Sequence, residues 1–307
     1  MIGSEITQSS VDVAVVILTF NQKAVTLRCL ESLMPELHDL VKVLVWDNGS
    51  GDGTLDHVSR AFPGATVHRH FTNLGVASGR NEAAKLAIGS CNPKFLLFLD
   101  NDMIVEPGFV GALMRPLVEN ERVGQTQAKL RFMEDRQRLN DGGGCQIDFA
   151  TGRTRPVGFG EVDRGQYDTA RPCVACGGAM MVRRALFERL GGFDPAFDPF
   201  GPEDLDFSLR LSREGYVALF VPDAVAYHAV SHTFGANYDA NYARHKTRHW
   251  FLLMKRHASV WQRVVFTYVV APFLFARVMV RETARGNYGV FMGLVRGALD
   301  AVRPQRS

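Results

Sequence analysis

Along the first 130 residues, short apolar runs alternate with amphipathic stretches. Val13–Thr19 (VAVVILT) is apolar almost throughout, the pattern of a strand covered on both faces of a parallel sheet. Lys23–Leu33 follows with helical spacing, and then come Val41–Trp46, Thr54–Ala61, Ala65–His70 and Ala77–Ile88. Phe95–Leu99 (FLLFL) is a second fully apolar strand, Pro107 stands where another helix can open, and Val123–Leu130 reads as a further strand. Alternation at this pace predicts an α/β fold of βαβ units with right-handed crossovers, a doubly wound sheet. Ligands in such sheets sit beyond the carboxyl ends of the strands.

From Arg131 to Arg171 the periodicity gives way to Gly-, Arg- and Asp-rich sequence, read as an active-site lid or a surface excursion. Ordered signals return with Val174–Val182, a helix at Arg184–Leu190 and the loop GGFDPAFDPFGP. A helix from Glu203 to Glu214 and a strand at Val217–Val221 complete this part. Further on, Val264–Ala276 is apolar apart from Thr267 and Tyr268 and is flanked by Arg263 and Arg277. It is shorter than the ~20 residues a spanning helix needs, and Pro272 interrupts it.

At 307 residues and 46% hydrophobic, the chain can bury a full core. Its net charge of +3 conceals an asymmetry: from Asn241 onward there are twelve Lys/Arg against two acids, Glu282 and Asp300. Charge alone fits lipid headgroups, nucleic acid or a solvated helical face. Because the apolar segment coincides with the basic one, the expectation is peripheral contact with an anionic membrane and no nucleic acid. Packing on the core, or on a second subunit as a homo-oligomer, is the alternative. The start, MIGSEITQSS, lacks a basic region followed by an apolar run, so no secretory signal is expected. Five cysteines in apolar contexts fit a reducing compartment, and the Cys173–Cys176 CxxC has no second pair to complete a zinc site. The expected location is cytoplasmic, peripheral on the cytoplasmic face of the inner membrane.

Polar clusters fall at four successive strand ends: Thr19-Phe20-Asn21, Asp47 with its turn NGSGDGT, Asn73-Leu74-Gly75 running to Arg80-Asn81, and Asp100-Asn101-Asp102. Each alone has a structural account as a turn or a cap. Two acids one residue apart at the rim of a sheet repel unless a cation lies between them, and Mg²⁺ or Mn²⁺ favours such oxygen ligands together with phosphates. A second acidic group, Glu203, Asp204 and Asp206, opens a helix, where the macrodipole also favours acids. Its density points further, to a carboxylate acting as general base. His228 lies beyond the last strand and, near two acidic clusters, is a candidate metal ligand.

The strings VVILTFN, VLVWDNGSGDGT, NLGVASGRN, FLFLDND, CGGAMMVRRALFERLGGFDPAF, GPEDLDFSLRLSREGY and VPDAVAYH run in order from Val13 to about His232. Together they resemble the inverting family 2 glycosyltransferases of GT-A fold, especially the rhamnosyltransferase-like branch that builds polysaccharides and glycolipids. The resemblance implies a mostly parallel sheet flanked by helices, with a nucleotide-sugar transferase domain at 11–240 and a basic, apolar helical extension at 241–307. Within the domain, 11–130 would bind donor and 131–240 would hold acceptor and catalytic groups. It places Thr19 and Asn21 beside the base of a UDP- or dTDP-sugar donor, with Asp47 accepting a hydrogen bond from its ring. Asn73, Gly75 and Arg80 would line the ribose-diphosphate side, with Asp100 touching the ribose or the metal. Asp100, Asp102 and His228 match metal ligands for Mg²⁺ or Mn²⁺, and Asp204 matches the catalytic base acting on a glycan or lipid-linked acceptor. The stretch 131–171, Arg-rich with a GGG, is where the chain departs from the family's pattern, which leaves the acceptor open and the reaction type unaffected. The rival readings are a sugar-1-phosphate nucleotidyltransferase, whose Gly-rich phosphate loop after the first strand is missing from Thr19-Phe20-Asn21-Gln22-Lys23, and a nucleotide-sugar-binding protein without transfer activity.

Overall fold

A computed structural model describes residues 11–175, 178–229 and 239–302. Cys176 of the CxxC, and His232 at the end of the family-like run, lie outside the described residues. The chain opens with β1 (Val13–Thr19), α1 (Lys23–Leu33), β2 (Val41–Asp47), α2 (Thr54–Ala61), β3 (Thr66–Arg69), α3 (Val76–Cys91) and β4 (Phe95–Asp100). It continues through β5 (Met103–Val105), α4 (Phe109–Glu119), β6 (Val123–Phe132), β7 (Leu139–Asp141), β8 (Cys145–Asp148), β9 (Arg153–Pro156) and β10 (Arg171–Pro172). Then follow β11 (Ala179–Arg183), α5 (Arg184–Arg189), α6 (Glu203–Arg213) and β12 (Val217–His228), with the helices α7 (Ala240–His257), α8 (Val260–Val265), α9 (Ala271–Ala284) and α10 (Gly289–Val302) at the end.

The main sheet runs β10-β12-β6-β11-β4-β1-β2-β3. Strands β4, β1, β2 and β3 pair in parallel, whereas β11 enters antiparallel between β4 and β6. The fully apolar strands are explained by burial on both faces. Val13, Val15 and Ile17 of β1 face the core shared with α1 and α4, while Ala14 and Val16 face the core shared with α3, α5 and α6. The carboxyl ends of β1, β2 and β4 thus open on one edge, with the polar clusters beyond them.

Three elements differ from the sequence-based expectation. The stretch 131–171 carries regular structure: β6 extends to Phe132, β7 pairs with it, and β8 and β9 form a hairpin. Its periodicity is hidden because buried charge replaces apolar alternation there. Lys129 and Asp163, both with 2% exposed side chains, pair at 3.2 Å, and Arg131 joins Asp163 at 2.7 Å. Strand β12 also runs past Val221 to His228, through a register shift between Val221 and Val225 where Pro222 interrupts the apolar pattern.

The third difference is in the terminal segment. Helix α8, a π-helical turn at Phe266–Val270 and α9 form one helix, Val260–Ala284, of 25 residues. Pro272 sits within the turn that follows the wider π spacing, so it interrupts no helix. By length and composition this helix is apolar enough to cross a membrane, and only 11% of its most apolar window is buried.

Candidate functional site

A cleft of about 650 Å³ lies over the carboxyl edge of the sheet. Of the residues singled out in the sequence, Thr19, Asn73, Gly75, Arg80, Asp100, Asp102, Glu203 and Asp204 line it. A smaller cavity of about 280 Å³ adjoins, bordered by Asp100, Asn140, Asp141, Asp204 and His228. Asp100 and Asp204 face both spaces.

The acidic centre is built from β4, α6 and β12. Asp100 and Asp102 follow the apolar β4, and the turn between them is held from inside. The Asn101 amide donates to Thr26 Oγ1 at 2.9 Å and to Thr19 Oγ1 at 3.2 Å. Those two hydroxyls are 2.8 Å apart. Thr19, 2% exposed, is therefore a buried buttress of the Asp-Asn-Asp turn as well as a residue at the cleft. Across the centre, the His228 Nε2 lies 3.4 Å from Asp102 Oδ1, and one ligand atom each from Asp100, Asp102 and His228 fall within 4.8 Å of one another. His228 Nδ1 donates to Asn140 Oδ1 at 2.9 Å, which turns the Nε2 lone pair toward the carboxylates.

This donor set fits a hard divalent cation. Among the described residues, the buried Asp102 Oδ1 has no hydrogen-bond donor, a need that a metal would satisfy. The field is strongly negative. Burial raises the Cys29 thiol well above its ordinary range, and the charges of Asp102 and Asp100 push it further. Burial works against a charged His228, yet the neighbouring Asp102 and Asp100 raise its pKa overall.

Arg80 is the counter-ion. From α3 its buried guanidinium donates to Asp100 Oδ1 at 2.5 Å and to Glu203 Oε1 at 2.8 Å. The pair of contacts joins the strand carrying the Asp-Asn-Asp turn to the helix carrying Asp204. The guanidinium pKa is raised by Asp100 and Glu203 against the opposing effect of burial. Glu203 is pushed up to about 8, first by burial and then by Asp204, with Arg80 pulling the other way. Glu203 thus holds a proton near neutrality beside Asp204, whose Oδ1 accepts from the Leu205 N–H at 2.7 Å.

The remaining residues from the sequence act through the loops. Asp47 is 2% exposed and its Oδ1 accepts from Ser50 N at 2.8 Å, which shapes the turn after β2. Asn21, at φ 53°, clasps that same turn: its N–H donates to Ser50 Oγ and its Oδ1 accepts from Gly51 N, both at 2.8 Å. Gly75 is required on steric grounds. At φ +93°, a Cβ would stand 2.3 Å from Asp198 Oδ1. Asp206 faces away from the cleft, accepting from His257 Nε2 at 2.8 Å and Arg210 Nε at 2.8 Å, and so fastens α7 to the sheet domain.

Sequence reasoning missed several residues. Asn48 donates to Asn73 Oδ1 at 2.8 Å and Gly75 O at 3.1 Å, joining two loops, but in sequence it reads only as part of a turn. Asp198 accepts from Ala77 N at 2.9 Å and Ser78 Oγ at 2.5 Å, capping α3 from 120 residues away. Helix α7 brings Tyr242, Lys246, His249 and Trp250 into the cleft. His249 is held down to about 4 by burial and by Arg248, so it is neutral there.

Residues 14–191 match glycosyl transferase family 2, and the chain belongs to that family. It is a glycosyltransferase of the inverting kind, on a GT-A fold. Residues 166–233 also match the N-terminal domain of galactosyltransferase. An N-acetylglucosaminyl-diphospho-decaprenol L-rhamnosyltransferase of Mycobacterium tuberculosis is 25% identical over 300 residues, which span 92% of this chain and 97% of the relative. An uncharacterized glycosyltransferase of Haemophilus influenzae is 27% identical over 66% of this chain and 62% of its own length. Among solved structures, GalNAc-T7 with UDP, GalNAc and Mn²⁺ superposes with TM-score 0.67 at 14% identity, over 95% of this chain and 57% of that one. A mannosyltransferase of Pyrobaculum calidifontis with GDP-Man and Mn²⁺ does so with TM-score 0.56 at 17% identity, over 96% of this chain and 88% of the other. These two likenesses show the fold alone.

Proposed function

We propose that the protein transfers a sugar from a UDP- or dTDP-sugar to a hydroxyl of a lipid-linked glycan, with Asp204 as the general base. The observation that carries this reading is the position of Asp204, buried yet bordering both the large cleft and the smaller cavity. A base for inverting transfer must touch the acceptor hydroxyl while facing the donor's anomeric carbon. The cleft accommodates the nucleoside diphosphate, and the smaller cavity receives the acceptor sugar. The lipid-linked acceptor class is supported by the mycobacterial relative, whose name specifies a sugar on a decaprenyl diphosphate.

Asp100, Asp102 and His228 would hold Mg²⁺ or Mn²⁺, whose charge would stabilise the departing diphosphate. Arg80 keeps Asp100 and Glu203 in place, and a protonated Glu203 spares Asp204 a second negative neighbour, leaving Asp204 to take the acceptor proton. In this reading residues 11–130 bind donor, 131–240 supply acceptor and catalytic groups, and α7 completes the cleft. The exposed apolar helix Val260–Ala284 with its basic neighbours rests on the cytoplasmic leaflet.

Asp204→Asn tests the assignment. Turnover should fall by roughly 10²–10⁴-fold while donor affinity is kept. Turnover at the wild-type level in that variant would remove Asp204 from this role.

A further inference from the structure

We infer that the apolar cavity beneath α9 binds the hydrocarbon chain of an amphiphilic phosphate, the lipid part of the acceptor, and this inference rests on the lipid-linked reading above. The cavity, of about 330 Å³, is walled by Trp250 and Phe251 of α7, Phe266 of the π turn, and Leu274, Phe275 and Val278 of α9. Its size is in the range of small-molecule sites, and apolar side chains make most of its wall, which Thr154, Thr247, Lys246 and Arg281 complete.

Three observations say what fills it. First, the cavity adjoins the site: Lys246 and Trp250 border both it and the large cleft, and Thr154 borders both it and the smaller cavity that Asp204 faces. A molecule whose head lies at Asp204 would therefore have only these shared walls between it and the space under α9. Second, α9 has apolar residues on both sides. Leu274, Phe275 and Val278 face the cavity, whereas Phe273 and Val280 are 65% and 73% exposed, and Tyr268 of the preceding turn is 76% exposed. A cavity roofed by a helix that itself presents bare apolar surface draws its occupant from a lipid phase. Third, the junction is cationic: Lys246 stands where cavity and cleft meet, suited to a phosphate between a sugar head and an apolar tail. The β8–β9 turn closes the remaining side at Gly152, φ +64°, where a Cβ would meet Phe266 at 2.3 Å.

The test uses the full chain and farnesyl diphosphate as probe, with inorganic diphosphate as control, read by tryptophan fluorescence and titration calorimetry. Burial of the chain should make farnesyl diphosphate bind at least about tenfold tighter than inorganic diphosphate. Leu274→Trp and Val278→Trp fill the cavity and should each abolish that advantage, with far-UV circular dichroism and a cooperative melt as fold controls. Equal binding of the two probes to the native protein would overturn the inference, as would undiminished farnesyl diphosphate affinity in both folded variants. Chain binding without transfer to any prenyl-diphosphate-linked sugar would uphold the cavity and overturn the acceptor reading.

Discussion

Replacing Arg80 with Met keeps an unbranched apolar stem, shorter than that of arginine, and removes the guanidinium that joins Asp100 to Glu203. Both contacts are charge-assisted, and solvent cannot readily replace the one between the buried Arg80 and Glu203, whereas Asp100, a third exposed, keeps access to the cleft. Breaking a buried pair by removing one partner costs about 3–5 kcal/mol. The pH dependence is set by Glu203. Its folded pKa, about 8, lies above the ordinary value of 4.5, a difference of a few kcal/mol at about 1.4 kcal/mol per unit. The stability it contributes is therefore fully present below about 4.5 and lost as pH rises through about 8. At about pH 6 Glu203 is neutral in both proteins, and the variant loses chiefly the Arg80–Asp100 contact, about 2 kcal/mol. At about pH 9 the native Glu203 is ionised and paired, whereas in the variant it must either stay protonated or stand uncompensated, and the loss grows to about 3–5 kcal/mol. Urea denaturation of both proteins in EDTA, followed by far-UV circular dichroism at the two pH values, reads this directly. A difference below about 1 kcal/mol at the higher pH, or one that shrinks as pH rises, would refute the reasoning.

Further outcomes follow from the same contacts. Asn140→Ala should weaken Mn²⁺ binding about 10–100-fold by freeing the His228 ring, as measured by calorimetry, and unchanged affinity would detach Asn140 from the site. Asp198→Ala removes the cap on α3 and should destabilise the protein by about 1 kcal/mol in urea titrations, an effect absent if the cap is idle. Asp206→Asn should cost about 3 kcal/mol. His257, Arg210 and Arg256 hold the Asp206 pKa down despite its burial, so its contribution is present above the ordinary carboxylate range and lost as pH falls through its depressed folded value. The Asp206→Asn and native melting curves should therefore converge in strong acid, and a constant gap there would argue against the pair.

Much of the sheet's carboxyl edge was legible in sequence because its causes are local. VAVVILT and FLLFL are apolar throughout since both faces of the sheet are covered, and the polar residues after each strand fall at one edge by the handedness of βαβ crossovers. Asp100, Asp102 and Asp204 could be read from their place after a strand or at the head of a helix. The role of Arg80 could not. The resemblance implied a place on the ribose-diphosphate side, and only the approach of α6 to β4 brings it, buried, between Asp100 and Glu203.

The same holds for the parts that came from afar. Asp198 reaches α3 across the sequence, Asn140 orients His228 from a stretch without periodicity, and α7 lines the cleft because Asp206 grips His257. What the sequence determined by itself was the order of the main strands and helices outside 131–171 and the identity of the acids at their ends, since these depend on spacing along the chain. What only tertiary structure decided was which charges meet, which are buried, and that an apolar cavity under the exposed helix adjoins the cleft. Those depend on distances between elements, and residue spacing carries no measure of them.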